Sequence, residues 1–271
     1  VSQLLEWGGG ALLDIKDNKG QTPWDVASTS TECGKESRDE IEEIMKKYKP
    51  QIKHNDIFEA SKAGDEQSVR SLINKEGIKI LDKRDAGLEK TPFLVAAGEG
   101  HVGVMSVMYE SKPDVLQQTT VRGDTAIHRA AVRGHGAAVS RLLEWDPKLI
   151  DAGNKWFQTP FMLTAVEGRV DMLKALHAKG GEKLLTQTNK LGDTALHRAA
   201  GCGKSAAVSQ LLEWGGGALL DITTWGKTPW DFTGQAELQE IMANYKRYVP
   251  TPWVLGARKP EIRKIMEKYK R

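Results

Sequence analysis

The stretches GDTAIHRAAVRGH (residues 123–135) and GDTALHRAAGCGK (residues 192–204) are nearly the same peptide written twice. A third stretch, KTPFLVAAGEGH (residues 90–101), has the same layout with Thr-Pro in place of Thr-Ala. Threonines recur in this phase at steps of 34, 34, 35 and 34 residues. A period of that length is typical of helical repeat proteins. The threonines are Thr91, Thr125, Thr159, Thr194 and Thr228.

Each unit predicts two helices. The Thr hydroxyl can cap free N–H groups, and a following proline costs nothing in the first helical turn. A glycine nine residues later predicts the end of the first helix, and counting back from Gly64 places an earlier unit at Asn55. An apolar ladder such as Val139, Leu142 and Leu143 then predicts one face of a second helix. A polar stretch such as 189–193 predicts a tight turn or hairpin.

These stretches resemble the ankyrin repeat, whose signature is T-P-L-H-x-A. The resemblance covers about residues 55–247, with a fragment at 1–27. It implies an all-α solenoid of paired antiparallel helices with short β-hairpins, and a concave surface of hairpins and inner helices that binds a partner. Alternate repeats depart from the signature, with Ala126 and Ala195 where proline is usual.

The chain predicts two arrays. We expect residues 1–49 to be the end of a preceding ankyrin array with a capping helix, because residues 1–15 repeat residues 208–222 letter for letter. A linker at 50–54 precedes the main array at 55–247, and residues 248–271 are expected to form a capping helix and basic tail. Val1 falls in mid-repeat, so we expect the chain to be cut from a longer protein with tandem arrays, or to be an array that continues beyond it. The main repeats are expected to start near 55, 91, 125, 159, 194 and 228.

Composition narrows the function classes. The 39 Lys and Arg residues nearly balance the 36 Asp and Glu residues, and the formal net charge of +3 is unlike that of a dedicated nucleic-acid binder. The sequence has no apolar run long enough to cross a membrane. Only two cysteines occur, Cys33 and Cys202, which predicts a reducing, cytoplasmic location.

No motif predicts catalysis. Gly203-Lys204-Ser205 looks like the end of a phosphate-binding loop, but the glycine that this motif needs five residues earlier is Arg198. His128 and His197 occupy the same repeat position, and the resemblance implies that they satisfy backbone groups at the hairpins. We therefore predict no enzyme activity, no cofactor and no metal site.

The turn tips are the expected partner-binding positions. Large apolar residues at an exposed tip are unexpected unless something covers them, although they could instead fold back on the neighbouring repeat. The basic tail could bind an acidic partner or be a solvated cap face. The candidate residues are Leu88, Arg122, Arg133, Trp156, Leu191 and Trp225.

The sequence therefore predicts a non-catalytic protein–protein interaction scaffold. Its expected partner is a protein held on the concave face of hairpins and inner helices. The alternative is a structural repeat protein that self-associates into a larger periodic assembly, which the identity between residues 1–15 and 208–222 motivates.

Overall fold

The computed structural model describes residues 20–23, 26 and 53–247. The expected capping helix of the preceding array, the start of the linker and the basic tail lie outside those residues. The chain divides into two compact units, one that ends at Gln118 and one that begins at Thr119. Among the described residues, no helix is both long and apolar enough to span a membrane.

In its described part, the first unit contains two helix pairs, each followed by a short 3-10 helix. The elements are α1 (Ile57–Ala63), α2 (Glu66–Glu76), a 3-10 helix (Ile78–Asp82), α3 (Pro92–Glu99), α4 (Val102–Ser111) and a 3-10 helix (Pro113–Gln117). Helix α1 of the first pair packs against α3 of the second pair, and α2 packs against α4.

The second unit continues the same pattern. The elements are α5 (Ala126–Arg133), α6 (Gly136–Trp145), a 3-10 helix (Pro147–Asp151), α7 (Pro160–Glu167), α8 (Val170–Gly180), α9 (Lys183–Thr186), α10 (Ala195–Gly201), α11 (Ser205–Gly215), 3-10 helices (Gly216–Leu220 and Pro229–Phe232) and α12 (Ala236–Arg247). The first helices stack in the order α5, α7, α10 and then the 3-10 helix Pro229–Phe232. The second helices α8, α11 and α12 also stack in order.

The all-α fold class is confirmed, with one difference at the loops. The expected β-hairpins are tight turns, and within the described ranges the only β pairing is a single isolated bridge between Thr224 and Lys227. The loops close after one hydrogen-bonded pair because the chain turns directly into the next N-cap, which leaves no length for a strand.

The helix boundaries follow the predicted caps. Each of the five periodic threonines is the N-cap of the helix or 3-10 turn after it. The earliest unit begins one residue later than expected, since Asp56 rather than Asn55 caps α1 by accepting from the backbone N–H groups of Phe58 and Glu59. A carboxylate makes this cap well, because it also complements the positive end of the helix.

The apolar ladders form the core. Val139 and Leu142 of α6 are buried, and Leu143 beside them is half-buried. The paired alanines of the first helices, such as Ala130 and Ala131, are fully buried and let neighbouring first helices approach closely. The second helices then cover the other side of the first row.

Two histidines join one repeat to the next. The Nδ1 atom of His128 accepts from the backbone N–H of Thr125 at 3.2 Å, and its Nε2–H donates to the Gln158 carbonyl of the following loop at 2.9 Å. His197 makes the same cap with Thr194 and reaches the Lys227 carbonyl at 3.4 Å. The structural role that the resemblance implied for both is confirmed, and the neutral imidazole is the form that fits.

The same position carries a carboxylate in the last repeat. Asp231 accepts from the backbone N–H of Thr228 at 2.7 Å and from its hydroxyl at 2.9 Å. The backbone hydrogen bond from Thr228 is the main reason that the pKa of Asp231 lies below its ordinary value. The carboxylate therefore caps the helix start as the histidine Nδ1 does, by accepting from the backbone N–H of the threonine.

Gly134 should tolerate substitution far less than its neighbour Gly136. Gly134 ends α5 with φ at 84°, in the left-handed region, whereas Gly136 is the first residue of α6 and has only Met172 within contact distance of an added Cβ. A β-branched residue is strongly disfavoured in the left-handed region. We expect Gly134→Val to lower the free energy of unfolding by about 1–3 kcal/mol and Gly136→Val to change it little. Urea unfolding of both variants measures this, and equal losses would contradict it.

Stability should fall as the pH drops from 7.5 to 5. Burial lowers the pKa of His128 and of His197 in the folded protein, so the unfolded chain binds protons first, near the ordinary imidazole pKa of about 6.5. Protonating Nδ1 of His128 would also turn it into a donor, which would then face the backbone N–H donor of Thr125. The stabilisation from neutral histidine is therefore present above about pH 6.5 and is lost below it.

The matched variant is His128→Gln/His197→Gln, measured by thermal unfolding across the same pH range. We expect it to melt below the unmodified protein at pH 7.5 and to lose less on acidification. His177, whose pKa burial also lowers, titrates equally in both proteins. If the melting temperatures of the two proteins fall equally as the pH drops, these two histidines do not cause the loss of stability.

Candidate partner-binding site

Four loops of the second unit carry four of the six candidate residues, Arg122, Trp156, Leu191 and Trp225. We call these loops the tips: residues 120–124, 154–158, 189–193 and 224–227. Each tip is closed by a backbone hydrogen bond across its ends, for example from Asn154 N–H to the Gln158 carbonyl at 3.0 Å. A loop closed in this way holds its central side chains in a defined position.

Buried polar side chains hold the tips in place through hydrogen bonds to the tip backbone. Asn154 is 4% exposed, and its Oδ1 accepts from the backbone N–H groups of Trp156 and Gln158 at 3.0 and 3.1 Å. Its Nδ2 donates to the carboxylate of Asp124 in the preceding tip at 2.9 Å. Asn189 bonds the backbone of Leu191 in the same way at 2.8 Å. These turns are built like Asx turns, in which a side chain replaces a backbone acceptor.

Backbone hydrogen bonds also join each tip to the next. Lys155 N–H donates to the Arg122 carbonyl at 3.0 Å, and Lys190 N–H donates to the Trp156 carbonyl at 2.8 Å. The Thr224 hydroxyl continues the series by donating to the Leu191 carbonyl. The four tips therefore form one continuous edge of the second unit.

Large apolar side chains are exposed along this edge. Trp225 is 84% exposed and Trp156 is 47% exposed, so neither is enclosed by the adjacent repeat. The alternative that these side chains fold back on the neighbouring repeat does not fit this exposure. The exposed apolar residues of the tips are Val121, Trp156, Phe157, Leu191 and Trp225.

Two of these aromatic residues have a costly backbone conformation. Phe157 has φ at 55° and Trp225 has φ at 51°. Phe157 stands where the equivalent tips have Gly123 and Gly192. Trp225 and Gly226 both have positive φ, as in a type I′ turn, where asparagine or glycine is preferred at both positions. Aligning the tips on their following threonine would have singled out Phe157 from the sequence.

A small cavity lies between the first two tips and the first helices behind them. Its volume is about 160 Å³. Trp156 and Arg122 of the tips line it, together with Leu163 and Glu167 of α7 and Arg129 of α5. The cavity combines an aromatic face, an aliphatic side chain and charges of both signs.

The structure brings part of the predicted set together. Arg122 and Trp156 share the cavity, and Leu191 occupies the next tip. Arg133 is exposed at the end of α5, while Leu88 is half-buried in the first unit. Sequence reasoning missed Phe157 as a site residue and missed the supporting role of Asn154.

The remaining chemistry is sparse in the part of the chain that the structure describes. No group of His, Cys, Asp or Glu there is arranged to hold a metal ion. Cys202 is exposed with a free thiol at the turn after α10. Arg198 occupies α10, so the Gly203-Lys204-Ser205 segment follows a helix rather than the strand that a phosphate-binding loop requires.

Asn154→Ala should loosen the site and the fold together. The change removes Oδ1, which accepts from two backbone N–H groups, and Nδ2, which donates to a buried carboxylate. We expect the free energy of unfolding to fall by about 1–3 kcal/mol, the cost of leaving buried polar groups without a partner. Lys155→Ala in the same exposed tip is the control and should change stability by less than about 0.5 kcal/mol. Similar unfolding curves for both variants would argue against this anchoring role.

Comparison with known proteins agrees with this geometry. The family model for ankyrin repeats (three copies) matches residues 57–151 and 146–224. The mouse ankyrin repeat domain-containing protein 63 is 31% identical over 169 residues, which are 59% of this chain and 42% of that protein. A Caenorhabditis elegans homologue of transient receptor potential cation channel subfamily A member 1 is 28% identical over 127 residues, 47% of this chain and 10% of that protein.

A rice protein named as a probable E3 ubiquitin-protein ligase, XBOS31, is 30% identical over 118 residues, 43% of this chain and 26% of the ligase. The chain thus spans less than half the length of each of these relatives. Ankyrin repeats are generally non-enzymatic modules for protein–protein interaction. The family match, the periodic caps and the stacked helix pairs lead to one conclusion: this chain belongs to the ankyrin-repeat family.

Proposed function

We propose that this chain is a non-catalytic scaffold that binds a protein partner along the tips and first helices of its second unit. The observation that carries the proposal is the row of exposed apolar side chains on tips that buried polar groups hold in place. Exposed apolar surface of this kind is typical of interaction sites. A tip that is already ordered also loses little conformational entropy when a partner binds.

Backbone strain supports the same proposal. Phe157 and Trp225 would be easier to accommodate as glycine or asparagine, because large side chains are disfavoured at positive φ. They also contribute little to the core, since 60% and 84% of their surfaces are exposed. Residues that cost conformational energy without packing in return are often retained for function.

A self-assembling structural repeat protein is the second candidate. The identity of residues 1–15 with residues 208–222 favours it, because long-range duplication suits a periodic assembly. Light scattering across a range of protein concentrations separates the two, and a constant monomer mass would count against assembly. A cytoplasmic location also stays a prediction, based on the scarcity of cysteine.

Replacing both tip tryptophans should remove binding and preserve the fold. In the double variant Trp156→Ala/Trp225→Asn, asparagine restores the Asn-Gly pair that a type I′ turn prefers. We expect the melting temperature to stay level or rise slightly. Partner affinity should fall by about 2 kcal/mol, or roughly thirty-fold, if these residues are interface hot spots.

The measurement combines thermal unfolding with quantitative capture of partners from lysate. The control is Ser140→Ala/Lys174→Ala, which changes exposed residues of the second helices. A much lower melting temperature for the tryptophan variant would identify Trp156 and Trp225 as packing residues. A folded variant that captures every partner as well as the control would place recognition elsewhere on the chain.

A further inference from the structure

The exposed charges at the tips all have one sign. Each tip carries a single basic side chain, and all four are exposed. The two acidic residues of the tips, Asp124 and Asp193, are buried at 8% and 3% exposure and accept hydrogen bonds from neighbouring asparagines. The basic residues are Arg122, Lys155, Lys190 and Lys227.

These cations are available to a partner. Among the described residues, none of the four side chains forms a salt bridge with the chain itself. Lys227 forms no salt bridge but lies close enough to Asp231 to lower the pKa of that carboxyl, so it is less available than the other three. The whole chain has a formal net charge of only +3, so the uniform sign along the tips is a local property of this edge.

The cavity at the first two tips adds a shape requirement. Its volume of about 160 Å³ is close to that of an engineered protein cavity, about 150 Å³, that holds a benzene ring. Trp156 forms one wall, and Leu163 supplies aliphatic surface. Offset or edge contacts between a bound ring and Trp156 would stabilise such an insertion. Arg122 lines the same cavity.

We propose that the tips of the second unit bind an acidic protein segment that inserts one aromatic side chain into the cavity beside Trp156. The carboxylates of that segment pair with Arg122, Lys155 and Lys190 on successive tips. This inference rests on the proposed function and specifies the chemistry of the partner. Complementary charge sets the orientation and the association rate, while the buried ring and the apolar tip residues supply most of the affinity.

A protein segment fits this surface better than a nucleic acid does. Aromatic residues between cations can stack bases, but two of the exposed apolar tip residues, Val121 and Leu191, are aliphatic and offer no stacking face. The exposed carboxylate of Glu167 also lines the cavity and would repel a phosphate backbone. A peptide can place a neutral backbone or side chain at that point.

The test selects binders from a random library of 12-residue displayed peptides on the full chain. Peptides that also bind Trp156→Ala/Leu191→Ala are discarded, so that only tip-dependent binders remain. Their affinities are then compared on two triple variants that lower the net charge equally. One is Arg122→Glu/Lys155→Glu/Lys190→Glu on the tips. The other is Lys148→Glu/Lys174→Glu/Lys179→Glu, at exposed lysines of the second-helix side.

We expect the tip-dependent peptides to be rich in Asp and Glu around a Phe, Tyr or Trp. Their affinity should fall at least about tenfold on the tip variant, change less than about twofold on the control, and weaken as salt is raised. A 20-nucleotide single-stranded DNA should compete weakly.

Basic or uncharged tip-dependent peptides would overturn the acidic-segment proposal and leave the proposed function standing. The oligonucleotide gives a second way to overturn it. If the oligonucleotide binds tightly, loses binding on the tip charge reversal and keeps binding on Trp156→Ala/Leu191→Ala, the tips are a polyanion site. A selection that yields no tip-dependent peptide would count against both the acidic segment and the proposed function.

Discussion

Within each unit, the repeats that the structure describes have an apolar helix face that a neighbouring repeat covers. The fully buried alanines of the first helices, among them Ala130 and Ala199, show how closely the neighbours approach. Because burial is shared in this way, each repeat depends on the one beside it. The free energy of unfolding is then expected to be a sum of the stability of each repeat and the energies of the interfaces between neighbours. The caps, turns and tips all serve to bring successive helix pairs into register.

The hydrogen bonds between repeats show how that register is set. His128 caps its own helix with one ring nitrogen and holds the next loop with the other. Asn154 makes a second connection at the tip, where it reaches back to Asp124. Both side chains sit at the boundary between repeats and satisfy backbone or carboxylate groups that would otherwise be buried without partners. The same groups that align the core therefore also position the exposed tip residues.

The helical plan was predictable from the sequence because its signals are local. Thr159 followed by proline, and Gly168 nine residues later, mark a helix start and end through the needs of their own backbone. The tips were less predictable. The left-handed conformation of Phe157 and the buried environment of Asn154 are set by the adjacent repeats, which a reading of one repeat does not include. The cavity likewise needs two tips and two first helices together.

The division of labour within each tip has a consequence for protein engineering. The anchoring residues, such as Asn189 and Asp193, are buried, whereas Lys190 and Leu191 between them are exposed and touch little of the core. The outward positions can therefore be diversified in a combinatorial library with the scaffold left intact. Mutational robustness and adaptable specificity reside in different residues of the same five-residue loop, which is the property that selection for new binding activities requires.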